Sequence, residues 1–259
     1  TISLSLFFRL YLLNKVPGEM FSDHAEKLLD VLDIMNGKFP VFFERNTGRE
    51  PIQFYLTALI VKIFNLELSF FSLKIGTILI GLLTIPFIYA LGKEVSNKWG
   101  GLFAALFTGI GYWPNVISRV GLRYALYPIF VAPVLYYLIR SLKEENQNLL
   151  IVCGLFLGIG LNGYSSFRIM PILVFVVFFV FILTNKAYAE IEYYIFAFIV
   201  VIFVALSVFV PVLRYSFDHP GNFSYRMISR LTPIEHPFND SPIIIFIKNF
   251  WDAMLMPFF

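Results

Sequence analysis

The sequence predicts an all-α polytopic membrane protein, and two observations carry that prediction. The first is composition: 58% of the residues are hydrophobic, 19% aromatic and only 14% charged, with a mean hydropathy of +0.76. Soluble domains carry about a quarter charged residues. The second is run length. Trp99–Ser118 and Tyr193–Val212 each cover 20 residues without a charge, Leu149–Phe167 covers 19 and Ile75–Gly92 covers 18. About 20 such residues cross a bilayer as helix, and in lipid only helices and closed barrels satisfy their own backbone. These runs are continuous rather than alternating, which excludes barrel strands. Cys153 stands alone, so neither a disulfide framework nor a thiolate metal site is expected, and a net charge of +3 gives no case for nucleic acid.

Taken in order, Ile2–Leu13 reads as the end of a first span, with Arg9 expensive there unless it faces protein or an interface. A polar segment follows. Within it Ala25, Leu28, Leu29, Leu32 and Met35 repeat at helical spacing, while Asp23, Glu26, Asp30 and Asp33 share another face. That is an amphipathic helix suited to the membrane surface. The run from Pro51 to Glu67 is too short to decide by length: it crosses, or it lies at the interface. Spans are then expected at 72–92, 99–118, 124–140, 149–168, 169–185 and 193–213, making about seven with the first. A second polar stretch, 214–248, follows. The chain starts and stops within apolar segments, and it reads as a truncated single domain, 1–259, with C-terminal spans missing.

Charge counts do not orient the chain. Lys93, Lys98, Arg140, Lys143 and Lys186 fall on one side, and Arg119, Arg123, Arg168, Arg214, Arg226 and Arg230 on the other. The second set is all arginine, whose planar fork suits bidentate capture of phosphate. Arg119 and Arg123 stand four apart, on one face if the helix continues. Tyr124 follows Arg123 directly, and Tyr164 stands four residues before Arg168. Carboxylates facing such arginines suit a site where an acid deprotonates a hydroxyl and the arginines hold a phosphate leaving group. Simpler readings stand beside this one. Asp23 and Glu26 also fit a helix cap and its reciprocal partner. The arginines also fit headgroup anchors, and Asp30, Asp33, Glu44 and Arg45 fit a solvated face. Arg49 and Glu50 pair with each other or with the site. His24, His219 and His236 lack ligand-type spacing, so no metal site is expected.

The motifs "SDHAE", "GREPIQFYL", "LLTIPFIYALGKEVSNKWGGLFAALF", "SRVGLRYAL" and "GYSSFRIMP", in that order, resemble membrane glycosyltransferases of the GT-C type. The resemblance is to the bacterial dolichyl-phosphate-mannose–protein mannosyltransferase and lipid A aminoarabinose transferase (family 39-like) group. It implies transfer of a sugar from a polyprenyl-phosphate donor to an acceptor hydroxyl, outside the plasma membrane of a bacterium or archaeon. It implies a first extracytoplasmic loop over 14–71 with interfacial helices, so that 51–67 does not cross, and a second loop at 214–248. Asp23 matches the family's acid after the first span. Many relatives carry a second acid beside it, where this chain has His24.

The expected roles follow from both readings. Asp23 is the general base, helped or oriented by Glu26. Arg119, Arg123, Arg168 and Arg226 bind the lipid phosphate, and Arg49, Glu50, Tyr124 and Tyr164 line the site. The partners are a polyprenyl-phosphate-sugar donor, membrane lipids and a protein, lipid or glycan acceptor. No cofactor follows from the sequence, and a divalent cation stays an open alternative. The rival class is a transporter or flippase of a lipid-linked or anionic substrate, which would want charges near span centres such as Arg9 and Lys74.

Overall fold

A computed structural model describes residues 1–46, 48–185, 191–221, 223 and 241–255. The described helices are α1 (Ile2–Leu10), α2 (Ser22–Met35), α3 (Ile52–Phe64), α4 (Phe70–Val95), α5 (Lys98–Ile110), α6 (Tyr112–Arg119), α7 (Leu126–Glu144), α8 (Gln147–Leu161), α9 (Met170–Asn185), α10 (Ile191–Asp218) and α11 (Pro242–Leu255), with 3-10 turns at Arg123–Ala125 and Ser165–Ile169. Four helical stretches, Phe70–Val95, Arg123–Glu144, Ser165–Thr184 and Ile191–Asp218, are long and apolar enough to cross a bilayer. The chain is therefore an all-α polytopic membrane protein. Ile52–Phe64 and Gln147–Leu161 are apolar but shorter.

Two expected spans are not continuous helices. The 99–118 run breaks at Gly111, whose ψ of 143° is extended. Pro114 has no N–H to offer the carbonyl of Ile110, so a helix through this point would lose a bond. The 149–168 run stops at Leu161, and the chain turns through Asn162 and Gly163 before the second 3-10 turn.

In the bundle, α4 packs against α5 and α7, α7 against α8, and α8 against α10. The α8–α10 contact depends on small residues. A Cβ at Gly154 or Gly158 would stand 2.8 and 2.6 Å from the carbonyls of Val201 and Ala205. Glycines four apart let membrane helices approach this closely.

Arg9 faces protein. It is 1% exposed and donates to the carbonyls of Gly109 (3.1 Å), Ser5 and Thr108 and to the hydroxyls of Ser5 and Ser118. The break at Gly111 frees the carbonyls of Thr108 and Gly109 from a continuing helix, so Arg9 satisfies groups left without a helical donor. Lys74 donates to the carbonyls of Leu13 (2.9 Å) and Pro17 (2.5 Å) with its ammonium over the Phe70 ring. Both charges serve as pins.

Helix α2 sits the other way round from a simple amphipathic reading. Its buried face is His24, Lys27, Asp30, Val31 and Ile34, while Leu29, Leu32 and Met35 are exposed. The apolar stripe is thus left exposed, and the polar face packs on protein. Of the expected solvated face, Asp30 is buried, Asp33 is half-buried, and Glu44 and Arg45 are exposed as expected. Asp30 is 1% exposed because Arg45 reaches down to it at 2.7 Å and also binds Asp33 at 2.6 Å. Glu44 accepts a hydrogen bond from the Tyr215 hydroxyl at 2.6 Å.

Arg119 and Arg123 do not share a helical face. Helix α6 ends at Arg119, and Gly121, at φ +72°, turns the chain out of register. Arg119 donates to the carbonyls of Phe8 (2.7 Å), Tyr11 (2.8 Å) and Val16 (2.8 Å). It closes the open end of α1. Arg119→Ala is therefore expected to cost about 2–3 kcal/mol, the scale of lost charged hydrogen bonds. Thermal unfolding in detergent should show that loss, with the affinity for lipid phosphate unchanged.

Candidate active site

The N-terminus of α2 is capped by His24, not by Asp23. The Phe21 N–H donates to His24 Nδ1, three residues on, at 3.3 Å; this is the reciprocal half of a capping box, because the Phe21 ring offers no acceptor in return. The Asp23–Glu26 cap considered from spacing is replaced by this contact, and the Asp23 carboxylate points elsewhere. Its Oδ1 accepts from Arg49 Nη2 at 3.1 Å and from the Asn46 amide, and Lys27 Nζ stands 3.7 Å from Oδ2. Lys27 also donates to the Asp23 carbonyl at 2.9 Å. The Asp23 side chain remains 37% exposed, beside the positive end of the helix dipole. Glu26 lies half-buried one turn further along.

The loop that brings Arg49 and Asn46 here is built by local rules. Phe43 and Arg49 exchange two backbone hydrogen bonds, 3.0 and 2.8 Å, across a short antiparallel bridge. Gly48, at φ +88°, lets the tip turn back over α2. Arg45 meets Asp30 and Asp33, while Arg49 lies buried between Asp23 and Asp30, 3.9 Å from the latter. Burial pushes the Asp30 carboxyl up, against the pull of Arg45 and Arg49. Hydrogen bonds from Lys38 and Arg45 hold Asp33 down.

Glu50, the next residue, turns to a second cluster. It is 1% exposed, and Arg123 Nη1 donates to its Oε2 at 2.6 Å while Arg168 Nη2 donates to its Oε1 at 3.0 Å. Arg49 and Glu50 thus pair outward, each with a different partner. The segments that meet here are tied together by backbone. Ile52 N–H donates to the Asn162 carbonyl at 3.4 Å, and Gln53 Nε2 donates to the Gly121 carbonyl at 2.8 Å. Two guanidiniums against one carboxylate leave a net positive charge, and Arg168 keeps 30% of its side chain exposed. Among the described residues, Arg168 Nε has no hydrogen-bond acceptor.

The Tyr164 ring lies 5.6 Å from the Arg123 guanidinium and 5.7 Å, edge-on, from the Tyr124 ring. Both tyrosines line a mostly apolar cavity of ≈ 650 Å³, together with Thr84, Ile88, Ile117 and Tyr127. Arg168 lies over the Phe223 ring at 4.3 Å, and Phe42 packs on Tyr215 at 5.1 Å and on Phe223 at 5.4 Å. The loop between α2 and α3 and the end of α10 therefore meet on one side of the bundle.

Of the residues expected from the sequence, Asp23 and Arg49 come together, and Glu50, Arg123, Arg168, Tyr124 and Tyr164 come together. Arg119 stands apart on α1's end, and Arg226 lies outside the described residues. Lys27, Asn46 and Gln53 were not expected. Lys27 follows Asp23 at i, i+4, a readable pairing signal. Asn46 and Gln53 carry no such signal, because their partners are distant in sequence.

A family model described as dolichyl-phosphate-mannose-protein mannosyltransferase matches residues 48–215. The match begins just before Arg49 and Glu50 and takes in Arg119, Arg123, Tyr124, Tyr164 and Arg168. Asp23 and Glu26 precede it. No curated protein matches the chain.

Proposed function

The chain belongs to the dolichyl-phosphate-mannose-protein mannosyltransferase family, and from that premise we propose an inverting sugar transfer with Asp23 as its general base. The family makes it an integral membrane glycosyltransferase that uses a lipid-linked sugar donor. The finer reading is ours. The donor is a polyprenyl-phosphate hexose or pentose, and the acceptor is a hydroxyl of a protein, lipid or glycan on the extracytoplasmic face. The plasma membrane is that of a bacterium or archaeon.

In the proposed step the acceptor oxygen attacks the anomeric carbon and its proton passes to the Asp23 carboxylate. The bond from the anomeric carbon to the phosphate oxygen breaks, and its electron pair leaves with polyprenyl phosphate. A phosphate monoester needs no proton to leave, but its charge rises as the bond breaks. Arg123 and Arg168, with Arg226 from the second loop, meet that charge. Glu26 helps orient the base. Arg119 joins the set only by releasing the carbonyls it now holds, so we give it the structural role first. Tyr124 and Tyr164 face the first isoprene units, which the adjoining apolar cavity accommodates.

The observation that carries this reading is Glu50, buried and held between Arg123 and Arg168, one residue from the Arg49 that binds Asp23. Acid chemistry and a cationic cradle thus share one strip of backbone. Contacts of Phe42 and Glu44 with Tyr215 support placing 14–71 and 214–248 on one side, with α3 interfacial. The transporter reading loses ground, because Arg9 and Lys74 are committed to backbone carbonyls.

Native mass spectrometry of the protein in mild detergent tests the donor site. A co-purifying polyprenyl-phosphate adduct is expected, and replacing Arg123 and Arg168 together by Ala should remove it. Bulk phospholipid alone, unchanged by the substitutions, would return the arginines to an anchoring role.

A further inference from the structure

His24 is 1% exposed and uses both ring nitrogens. Nδ1 accepts the Phe21 N–H at 3.3 Å, at the start of the helix that carries Asp23. Nε2 lies 2.7 Å from the Val120 carbonyl, at the turn that leads into Arg123. A carbonyl only accepts, so Nε2 carries the proton and Nδ1 is bare. The ring also stands edge-on to Phe21 at 4.2 Å and tilted on Phe70 at 4.5 Å. His24 thus joins α2 to the 120–121 turn, and Gln53 joins α3 to the same turn through Gly121.

Taking Asp23 and Arg123 in the roles given above, we infer that His24 is a positioning residue, fixing the base relative to the arginine that receives the leaving phosphate. One neutral imidazole spans the two halves of the site. Its neutral form is required, because imidazolium would turn a second N–H toward the Phe21 N–H.

The surroundings hold it neutral. Burial pushes the imidazole down from its ordinary value, the Val120 bond raises it, Lys27 lowers it, Asp23 raises it and Lys74 lowers it. Lys74 Nζ already stands 4.1 Å from the centre of the Phe70 ring, so protonation of His24 would place a second cation on one aromatic. A folded value below the free one means that the imidazole of the folded protein is neutral and the contact present at pH 6.5 and above, and that the contact is lost only as pH falls through that lower folded value.

Two variants test this beside Asp23→Asn, in steady-state transfer assays with a polyprenyl-phosphate sugar that the wild-type protein accepts. His24→Phe keeps the packing and removes both hydrogen bonds. It is expected to lower kcat about 10–100-fold, as misplaced reacting groups do, while the donor KM moves less than threefold by the same reasoning. His24→Gln offers both an acceptor and a donor, and it should recover most of the loss. It should also move the acid limb of the rate profile to lower pH, because the group whose protonation breaks the contact in the wild-type protein is gone. If His24→Phe does not fold, the acid limb of His24→Gln decides alone. A wild-type kcat in His24→Phe, or an unmoved limb in His24→Gln, overturns the inference. Activity retained in Asp23→Asn sinks the reading of Asp23 instead, whatever the His24 variants do.

Discussion

Asp23→Asn is expected to lower kcat about 10²–10⁴-fold, the usual worth of a positioned general base, with the protein still folded and still binding donor. The side chain is 37% exposed, and an amide oxygen can keep accepting from Arg49 and Asn46. Loss of fold is therefore not the expected cause. What the amide cannot do is take the proton of the acceptor hydroxyl. The transfer assay with lipid-phosphate sugar, run at matched donor occupancy, separates the two. If transfer persists at more than about a tenth of the wild-type rate, well above what base removal leaves, Asp23 is an anchor for Arg49 and Lys27. A melting temperature lowered with turnover intact would say the same.

How much of this was legible in the chain depends on the range of the interaction. Helices α4, α7, α9 and α10 follow from uncharged run length, because the bilayer imposes length directly. The break at Gly111 was carried by Pro114, three residues later, yet the run between Lys98 and Arg119 reads as one span when only charge is counted. Helix α2 was legible as a helix, but not which face turns inward. Its polar face is buried because Arg45 and Arg49 return from a turn some 15 residues away and neutralise Asp30, a contact no local periodicity records.

The site divides along the same line. Arg123, Arg168, Tyr124 and Tyr164 stood out by type and by place between spans. Glu50 stood out only as a neighbour of Arg49, with their pairing open. Three-dimensional closure sends Arg49 to Asp23 and Glu50 to the two distant arginines. Arg119 looked equivalent to Arg123 because helical spacing was extended through Gly121. A positive φ at that residue separates a pin from a member of the cradle.

The second large effect is expected at Glu50. Its carboxylate is 1% exposed and joins two guanidiniums at 2.6 and 3.0 Å. Glu50→Ala leaves Arg123, itself buried, and Arg168 facing each other without that carboxylate. Removing one partner of a buried pair costs about 3–5 kcal/mol, so a marked fall in thermal stability is expected. Activity should fall further than stability explains, because Glu50 sets the separation of the groups that meet the phosphate, and misplacement by about 1 Å can cost roughly 10²-fold. Glu50→Gln keeps the shape and one acceptor, so it should retain more of the fold while still losing transfer. A double-mutant cycle isolates the pair. Glu50→Ala with Arg123→Ala should be less destabilised than the sum of the singles by about 0.5–3 kcal/mol, since the second change removes the charge stranded by the first. Strict additivity would mean that Arg123 is held by its other neighbours and that Glu50 does not organise the cradle. In that case Arg168 and the second loop would carry the phosphate, and Arg168→Ala would exceed Arg123→Ala in its effect on donor binding.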